Sequence, residues 1–237
     1  MDIECGNRTR RSILGLLCLG AASLSALFTG RSAAQTGTGV PACVVRPEQT
    51  EGPFFIDERL NRSDIRSDPA TGAVKAGTPL RVTFRISRVN GSVCAPLAGA
   101  IVDVWHCDAT GAYAGIRDAS GSTVGQKFLR GYQVTDANGA ATFATIYPGW
   151  YSGRAVHIHF KIRTAEGKRA REFTSQMYFD EALNEKVLAR APYASRGRRD
   201  ARNDQDGMFR RDGRQLLMPL RETADGYAGT FEVGLTA

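Results

Sequence analysis

Two histidines separated by a single residue, His157 and His159, are the residues of this sequence best suited to chemistry. If Ile158 lies in a β-strand, its two neighbours project from the same face, because successive strand residues alternate sides. Two imidazoles that point toward a common place are suited to bind one transition-metal ion. Tyr151 precedes the pair by six residues, and Tyr113 lies further upstream.

The two tyrosines narrow the choice of metal. The ordinary pKa of a phenol is about 10, so its oxygen becomes an anionic ligand only where a strong positive charge stabilises the phenolate. Ferric iron supplies that charge and also accepts imidazole nitrogen. The four side chains therefore predict a mononuclear Fe(III) site with Tyr113, Tyr151, His157 and His159 as its ligands.

The strands that must position these residues can be traced from hydrophobic alternation. Apolar and polar residues alternate without exception over residues 80–87, which predicts a half-buried strand. Asn90-Gly91 and Asn138-Gly139 mark turns. Further strands are predicted at residues 98–105, 140–146, 156–163, 173–179, 216–220 and 229–233.

One helix is predicted over residues 181–190. Asp180 can cap its start, Leu183 and Val187 share a face, and Pro192 stops it. Many short strands separated by turn signals, with few helical periods among them, predict an all-β fold. We expect mainly an antiparallel β-sandwich with short helices and long loops.

The N-terminal segment resembles a targeting sequence. Arg10 and Arg11 form a twin arginine, an apolar stretch follows over residues 13–28, and small residues at 32–34 offer a cleavage point. The apolar stretch is too short and too often interrupted for a secure membrane span. We therefore expect residues 1–34 to be a twin-arginine signal peptide, the export machinery to be a partner, and the protein to be periplasmic or secreted.

The remaining residues are sufficient for one domain with a substantial core. We expect residues 35–78 to form an N-terminal arm that contributes to the active-site pocket. Residues 79–237 would form the catalytic β-sandwich. A homo-oligomer is an expectation that no motif supports directly.

The formal net charge of the chain is +7, and many of the arginines lie in residues 190–214. Four aspartates interrupt this segment, and no nucleic-acid recognition motif accompanies it. The segment therefore predicts a solvated loop and no nucleic-acid partner.

Three cysteines lie beyond the predicted signal peptide, and their spacing lacks the paired pattern of a zinc site. An oxidising compartment favours a disulfide between two of them. We expect Cys43 to pair with Cys94 and Cys107 to be a buried thiol, although the sequence allows all three pairings.

Longer segments of the chain resemble the intradiol ring-cleavage dioxygenase family, which includes catechol 1,2-dioxygenases and protocatechuate 3,4-dioxygenases. The matching segments are Thr50-Glu51-Gly52-Pro53, residues 102–106 with Gly111-Ala112-Tyr113, Arg130-Gly131 with 135–139, Pro148-Gly149-Trp150-Tyr151 with 154–160, and 175–179. Their order and spacing make the resemblance far more specific than an isolated pair of histidines.

The resemblance implies a non-haem Fe(III) enzyme that uses O2 to cleave a catechol-type ring between its two hydroxylated carbons. Tyr113, Tyr151, His157 and His159 match the four metal ligands of the family. Tyr151 matches the ligand that substrate displaces, which then accepts a proton. The substrate would be protocatechuate-like or lignin-derived, and plain catechol and hydroxyquinol stay open.

Four further positions take roles from the same resemblance. Arg154 matches the arginine that binds substrate and faces the charge developing on its ring. Gln176 matches a catalytic position that orients ligands by hydrogen bonding. Gly52 and Pro53 resemble the segment that lines one wall of the substrate pocket.

Two other functions stay open from the sequence. A zinc-binding protein could use His106, His157 and His159, but such a site leaves both tyrosine motifs unexplained. A non-catalytic β-sandwich binding module could retain the metal site, although Arg154 and Gln176 would then have no role. His106 matches no ligand of the family, so we expect it to be structural.

Overall fold

In the computed structural model, which describes residues 44–118, 121–166 and 169–236, β-strands form most of the regular structure. The strands are β1 (Pro79–Asn90), β2 (Val93–Pro96), β3 (Ile101–Trp105), β4 (Arg117–Asp118), β5 (Gly121–Ser122), β6 (Arg130–Val134), β7 (Ala140–Ile146), β8 (His157–Glu166), β9 (Arg169–Tyr178), β10 (Arg221–Glu222) and β11 (Tyr227–Thr236). The helices are α1 (Glu181–Leu188) and α2 (Gly207–Asp212), with 3₁₀ turns at Tyr193–Arg196, Asn203–Gln205 and Gly213–Leu216. The predicted all-β class with short helices is confirmed.

The larger strands form two sheets. In the first, the order is β10-β11-β1-β2, and β7 also pairs with β1. β1 runs parallel to β11 and antiparallel to β7 and β2. In the second sheet, the order is β6-β3-β8-β9 and every pairing is antiparallel. β8, which contains both histidines, therefore lies inside the second sheet between two neighbours.

The core forms where the inner faces of the two sheets meet. Along β1, the alternate residues Leu80, Val82, Phe84 and Ile86 are buried, as the sequence pattern predicts. The ring of Phe84 lies 5.3 Å from that of Phe160 on β8, which joins the two sheets. Each such buried apolar side chain contributes about 1.5–3 kcal/mol to stability, so this layer holds the sheets together.

One strand prediction is wrong. Residues 216–220 do not form a strand, because the chain leaves a 3₁₀ turn at Leu216 and makes only an isolated bridge between Leu217 and Tyr178. Pro219 cannot donate a backbone hydrogen bond, which prevents a continued ladder. Leu216 and Met218 are nevertheless buried and Leu217 and Leu220 are partly buried, which explains the misleading pattern.

The predicted helix is present but shorter than expected. The Asp180 carboxylate accepts hydrogen bonds from the backbone N–H groups of Ala182 and Leu183, as an N-cap does. α1 ends at Leu188, two residues before the predicted end.

The arginine-rich segment is folded and is not the loop that its composition predicts, although Arg198, Arg202, Arg210, Arg211 and Arg214 are exposed to solvent as expected. It forms two 3₁₀ turns and α2, and several of its side chains are fixed. Arg196 lies over the ring of Trp150 at 4.4 Å, and the buried Arg199 pairs with Glu181 and Glu185. Two of the interrupting aspartates, Asp200 and Asp206, make specific contacts that are described below.

The cysteines agree with the prediction as far as the described residues extend. Cys94 is disulfide-bonded, whereas Cys107 is free and buried, and burial raises the pKa of its thiol to about 12. The predicted partner Cys43 and the predicted signal peptide at residues 1–34 lie outside the described residues. No described helix has the length and apolar character to cross a membrane.

His106 joins the two sheets. Its Nδ1 donates to the backbone carbonyl of Cys107 at 2.8 Å, so in the neutral ring Nε2 accepts from the Thr145 hydroxyl on β7 at 2.7 Å. Burial lowers the pKa of His106 to about 4. Both ring nitrogens are therefore used within the fold, which agrees with the structural role expected from the sequence.

We expect His106 to make the protein less stable in acid. Its ring is protonated near pH 6.5 in the unfolded chain but only near pH 4 in the folded protein. Its stabilising contribution is complete above pH 6.5 and is lost as the pH falls to 4, by about 3 kcal/mol in all. The variant His106→Gln should show a shallower fall in the free energy of unfolding between pH 7 and pH 4, measured by urea unfolding. Equal slopes would contradict the expected shift.

Candidate metal centre

The two histidines begin β8 and project from one face of the second sheet. Both rings are buried, and their Nε2 atoms lie 3.0 Å apart. Two nitrogens that each lie about 2.1 Å from one ion, at a right angle, are about 3.0 Å apart. The separation between His157 and His159 therefore fits binding to a common metal ion.

Neighbouring groups hold His157 in a metal-binding tautomer and fix the ring plane of His159. Nδ1 of His157 donates to the carbonyl of Ala155 at 2.7 Å, which leaves a lone pair on Nε2. The ring of His159 stacks on Trp105, which lies opposite it on β3. Burial lowers the pKa of His157 to about 3 and that of His159 well below its usual value. Both rings are therefore neutral, the state that binds a metal.

The two predicted tyrosine ligands lie beside the histidines. The ring centre of Tyr151 is 5.5 Å from that of His157, and Tyr113 is 6.3 Å from His159. The two tyrosine rings are 5.6 Å apart. The fold thus brings together four residues from three places: the loop after β3, the loop after β7 and the start of β8.

The Tyr113 hydroxyl is the clearest sign that a ligand belongs here. It is buried and has no hydrogen-bond partner among the described residues, although buried polar groups are nearly always paired. Burial raises the pKa values of both Tyr113 and Tyr151, so each stays a neutral phenol until a strong cation stabilises the anion. Two neutral imidazoles and two ionisable phenols are a donor set that fits a ferric ion.

His106 is not available as the third histidine ligand of a zinc site. Both ring nitrogens of His106 already have hydrogen-bond partners. In the described part of the chain, no three His, Cys, Asp or Glu side chains cluster so as to hold a metal. The donor set that the fold assembles depends on the tyrosines.

Arg154 and Gln176 lie next to the candidate ligands. Arg154 donates from Nη1 to the Tyr151 hydroxyl at 3.2 Å and from Nη2 to Oε1 of Gln176 at 2.6 Å. Gln176 is opposite His159 on β9, so the two side chains share a face of the sheet. Its amide nitrogen donates to the Thr50 carbonyl at 3.2 Å, which connects this group to the N-terminal arm.

Sequence reasoning missed several polar residues that complete this group. Tyr178 donates its hydroxyl hydrogen to Gln49 at 2.9 Å and receives a hydrogen bond from Arg154. Asp206 accepts from Nε of Arg154 at 2.9 Å. Gln49 directly precedes a family-like segment and was detectable by position, but Asp206 is 52 positions from Arg154 and carries no local signal except a helix-cap pattern.

The N-terminal arm covers one side of the candidate centre. The ring of Phe54 stacks on Tyr113 at 4.4 Å and meets Tyr151 edge-on at 5.6 Å. Gly52 lies against His159, whereas Pro53 is exposed. Of the predicted wall, Gly52 therefore touches the site, and Phe54 is a wall residue that the sequence reasoning did not identify.

Charged side chains fasten this arm to the sandwich. Lys161 on β8 pairs with Glu51, and its ammonium lies 4.2 Å from the centre of the Phe55 ring. The buried Arg130 donates to the carbonyls of Phe54 and Ala114. These contacts fix the arm where it closes off the ligands from solvent.

Comparisons with known proteins agree with this geometry. A protein-family model described as Dioxygenase matches residues 50–205. A chlorocatechol 1,2-dioxygenase of Pseudomonas sp. (strain P51) is 33% identical over 153 residues, which cover 55% of this chain and 54% of the relative. The protocatechuate 3,4-dioxygenase beta chain of Burkholderia cepacia is 34% identical over 140 residues, covering 54% and 56%. The chain spans about half the length of the curated relatives it matches.

A solved structure gives a more extensive match. An intradiol ring-cleavage dioxygenase from Tetranychus urticae is 33% identical, with a TM-score of 0.70. The match covers 82% of this chain and 95% of that one.

Two glycines offer a matched test of the contact between the arm and His159. Gly52 and Gly72 both have φ of +72°, but an added Cβ would lie 3.3 Å from Cε1 of His159 only at Gly52. Each Gly→Ala change strains the backbone by about 1–2 kcal/mol. We expect Gly52→Ala to lose more stability in urea unfolding than Gly72→Ala and to bind added iron more weakly in competition with a chelator. Equal losses and equal iron affinity would show that the contact is unimportant.

Proposed function

Because the chain belongs to the intradiol ring-cleavage dioxygenase family, we propose that it is a non-haem Fe(III) enzyme that opens catechol-type rings with O2. Cleavage would fall between the two hydroxylated carbons. The observation that carries the proposal is the meeting of two neutral imidazoles with two phenols, one of which has a buried hydroxyl without a partner among the described residues.

The four residues Tyr113, Tyr151, His157 and His159 would hold the metal. Bound Fe(III) would supply a Lewis acid that both catechol oxygens could bind and that would make the ring reactive toward O2. The two phenolates would offset most of the charge of the ion, so that the centre can lie in an apolar pocket without a large desolvation penalty.

The two tyrosines have different surroundings, which supports different roles. Tyr113 is buried under Phe54, whereas Tyr151 is half-buried and its hydroxyl touches Arg154. Tyr151 is therefore the ligand better able to move away when substrate binds. Once displaced, its oxygen can accept a proton from a substrate hydroxyl. Before that transfer, the guanidinium of Arg154 stabilises the tyrosinate anion.

Arg154 would stabilise negative charge on the substrate. Its Nη1 lies next to the Tyr151 oxygen, where a displacing substrate would enter, and it keeps its positive charge at any working pH. A fixed cation with little access to water stabilises charge that develops during the reaction. Gln176 would hold the other terminal nitrogen of the guanidinium in place.

We propose protocatechuate-like or lignin-derived catechols as substrates. The net charge of +7 supports an anionic or acidic aromatic substrate, because a positive protein attracts such molecules. Export of the protein through residues 1–34 is part of the same proposal, since polymer-derived catechols arise outside the cytoplasm. Export stays a prediction from the sequence.

Oxygen uptake by the iron-loaded protein tests the function. We expect one O2 to be consumed per molecule of protocatechuate, catechol or hydroxyquinol accepted. The product should be a ring-opened diacid that carries both atoms of labelled O2, measured with an oxygen electrode and mass spectrometry. Iron-loaded protein that consumes no O2 with any catechol, or that cleaves outside the hydroxylated carbons, would contradict the proposal and favour a non-catalytic binding module.

The colour of the protein tests the ligands independently of turnover. Phenolate bound to ferric iron should give a red-brown charge-transfer band, and Tyr151→Phe should lose or shift it because one of the two phenolates is removed. Tyr132→Phe on β6 is the matched control and should leave the band unchanged. Absorption spectra of the three iron-loaded proteins measure this. An unchanged band in Tyr151→Phe would exclude that residue as a ligand.

A further inference from the structure

A single carboxylate holds the turn between Tyr151 and His157 from outside the sandwich. Oδ2 of Asp206 accepts hydrogen bonds from Nε of Arg154 and from the backbone N–H of Ala155, both at 2.9 Å. Its Oδ1 accepts from the backbone N–H groups of Met208 and Phe209 at the start of α2. The two oxygens of Asp206 therefore serve two different elements.

The contact at Nε determines where the rest of the guanidinium points. A guanidinium is planar, so a partner at Nε and the neighbouring backbone restrict the orientation of both terminal nitrogens. In this orientation, Nη1 faces the Tyr151 hydroxyl and Nη2 faces Gln176. An arginine side chain without such a partner has several rotatable bonds and can adopt many rotamers.

The pair is also largely shielded from water. The side chain of Asp206 is 1% exposed and that of Arg154 is 18% exposed. A charge in such surroundings needs a partner, and removal of one member leaves the other unpaired. Arg154 can thus stay in the site, charged and ordered, because Asp206 lies behind it.

Helix capping alone does not account for this arrangement. Asp180 caps α1 through one oxygen in the same way, yet it is exposed. Asp200, on the same segment as Asp206, accepts from the Ser152 hydroxyl and the Gly153 N–H, so it holds the turn but not the guanidinium. Asp180 therefore caps a helix without contacting Arg154, and Asp200 binds the turn without contacting Arg154.

We infer that Asp206 is a positioning residue of the proposed ring-cleavage site, which orients Arg154 toward Tyr151 and the substrate that displaces it. The inference rests on the proposed function. Through Asp206, the arginine-rich segment would contribute to catalysis.

The variant Asp206→Asn tests the inference. Asparagine caps helices as well as aspartate does, but its amide cannot accept at both positions, so Arg154 loses its anionic partner. In the iron-loaded protein we expect kcat for catechol cleavage to fall by roughly 10²-fold, as for loss of one charge-stabilising group, with KM little changed. The charge-transfer band should shift, because the Arg154 contact with Tyr151 changes. The matched cap variant Asp180→Asn should keep the wild-type kcat and band.

A double variant separates action through Arg154 from an effect on folding. If Asp206 acts through the arginine, Arg154→Gln combined with Asp206→Asn is no slower than Arg154→Gln alone. In the metal-free proteins, the double variant should also lose less stability in urea than the two single losses together. The inference would be overturned if kcat of the double variant fell by the product of the two single-variant decreases. It would also be overturned if Asp206→Asn had the same kcat and charge-transfer band as Asp180→Asn.

Two measures keep these tests decisive. If Asp206→Asn does not fold, Asp206→Ser takes its place, because serine restores the helix cap but offers no carboxylate to Arg154. If wild-type protein consumes no O2 with any catechol, the proposed function fails. The band and the metal-free stability cycle still report whether Asp206 orients Arg154, so the two failures can be told apart.

Discussion

The structure depends on one constraint: two imidazoles and two phenols must lie together, buried or half-buried, while none of them is charged. Burial lowers the pKa values of His157 and His159 and raises those of Tyr113 and Tyr151, so all four groups are neutral in the folded chain. The neutral state is what allows them to lie in an apolar pocket. It also leaves lone pairs and an unpartnered hydroxyl that only a strong cation would satisfy.

The surrounding fold holds these four side chains in fixed positions. β8 lies between β3 and β9, so the histidines sit on a backbone paired on both sides. Trp105 and Phe54 stack on His159 and Tyr113, and they shield these two rings from water. Limited access of water strengthens electrostatic contacts, including that of Arg154 with Tyr151.

Charge outside the ligand set is also arranged in pairs. Lys161 and Glu51 fasten the arm, and Arg154 and Asp206 connect the ligand turn to α2. Exposed ion pairs contribute little to stability, but the second pair is largely buried and its value lies in orientation. The arginine-rich segment therefore supports the site through Asp200 and Asp206.

Local patterns were sufficient for much of this protein. Strand alternation predicted β1 and the shared face of His157 and His159, and the motif segments identified the four candidate ligands and Arg154, because those signals lie within a few residues. Residues 216–220 misled the prediction, since burial without strand pairing produces the same apolar pattern. The partners of Arg154 were decided only by tertiary structure. Asp206 meets it across 52 positions, and a contact between distant segments leaves no periodicity in either one.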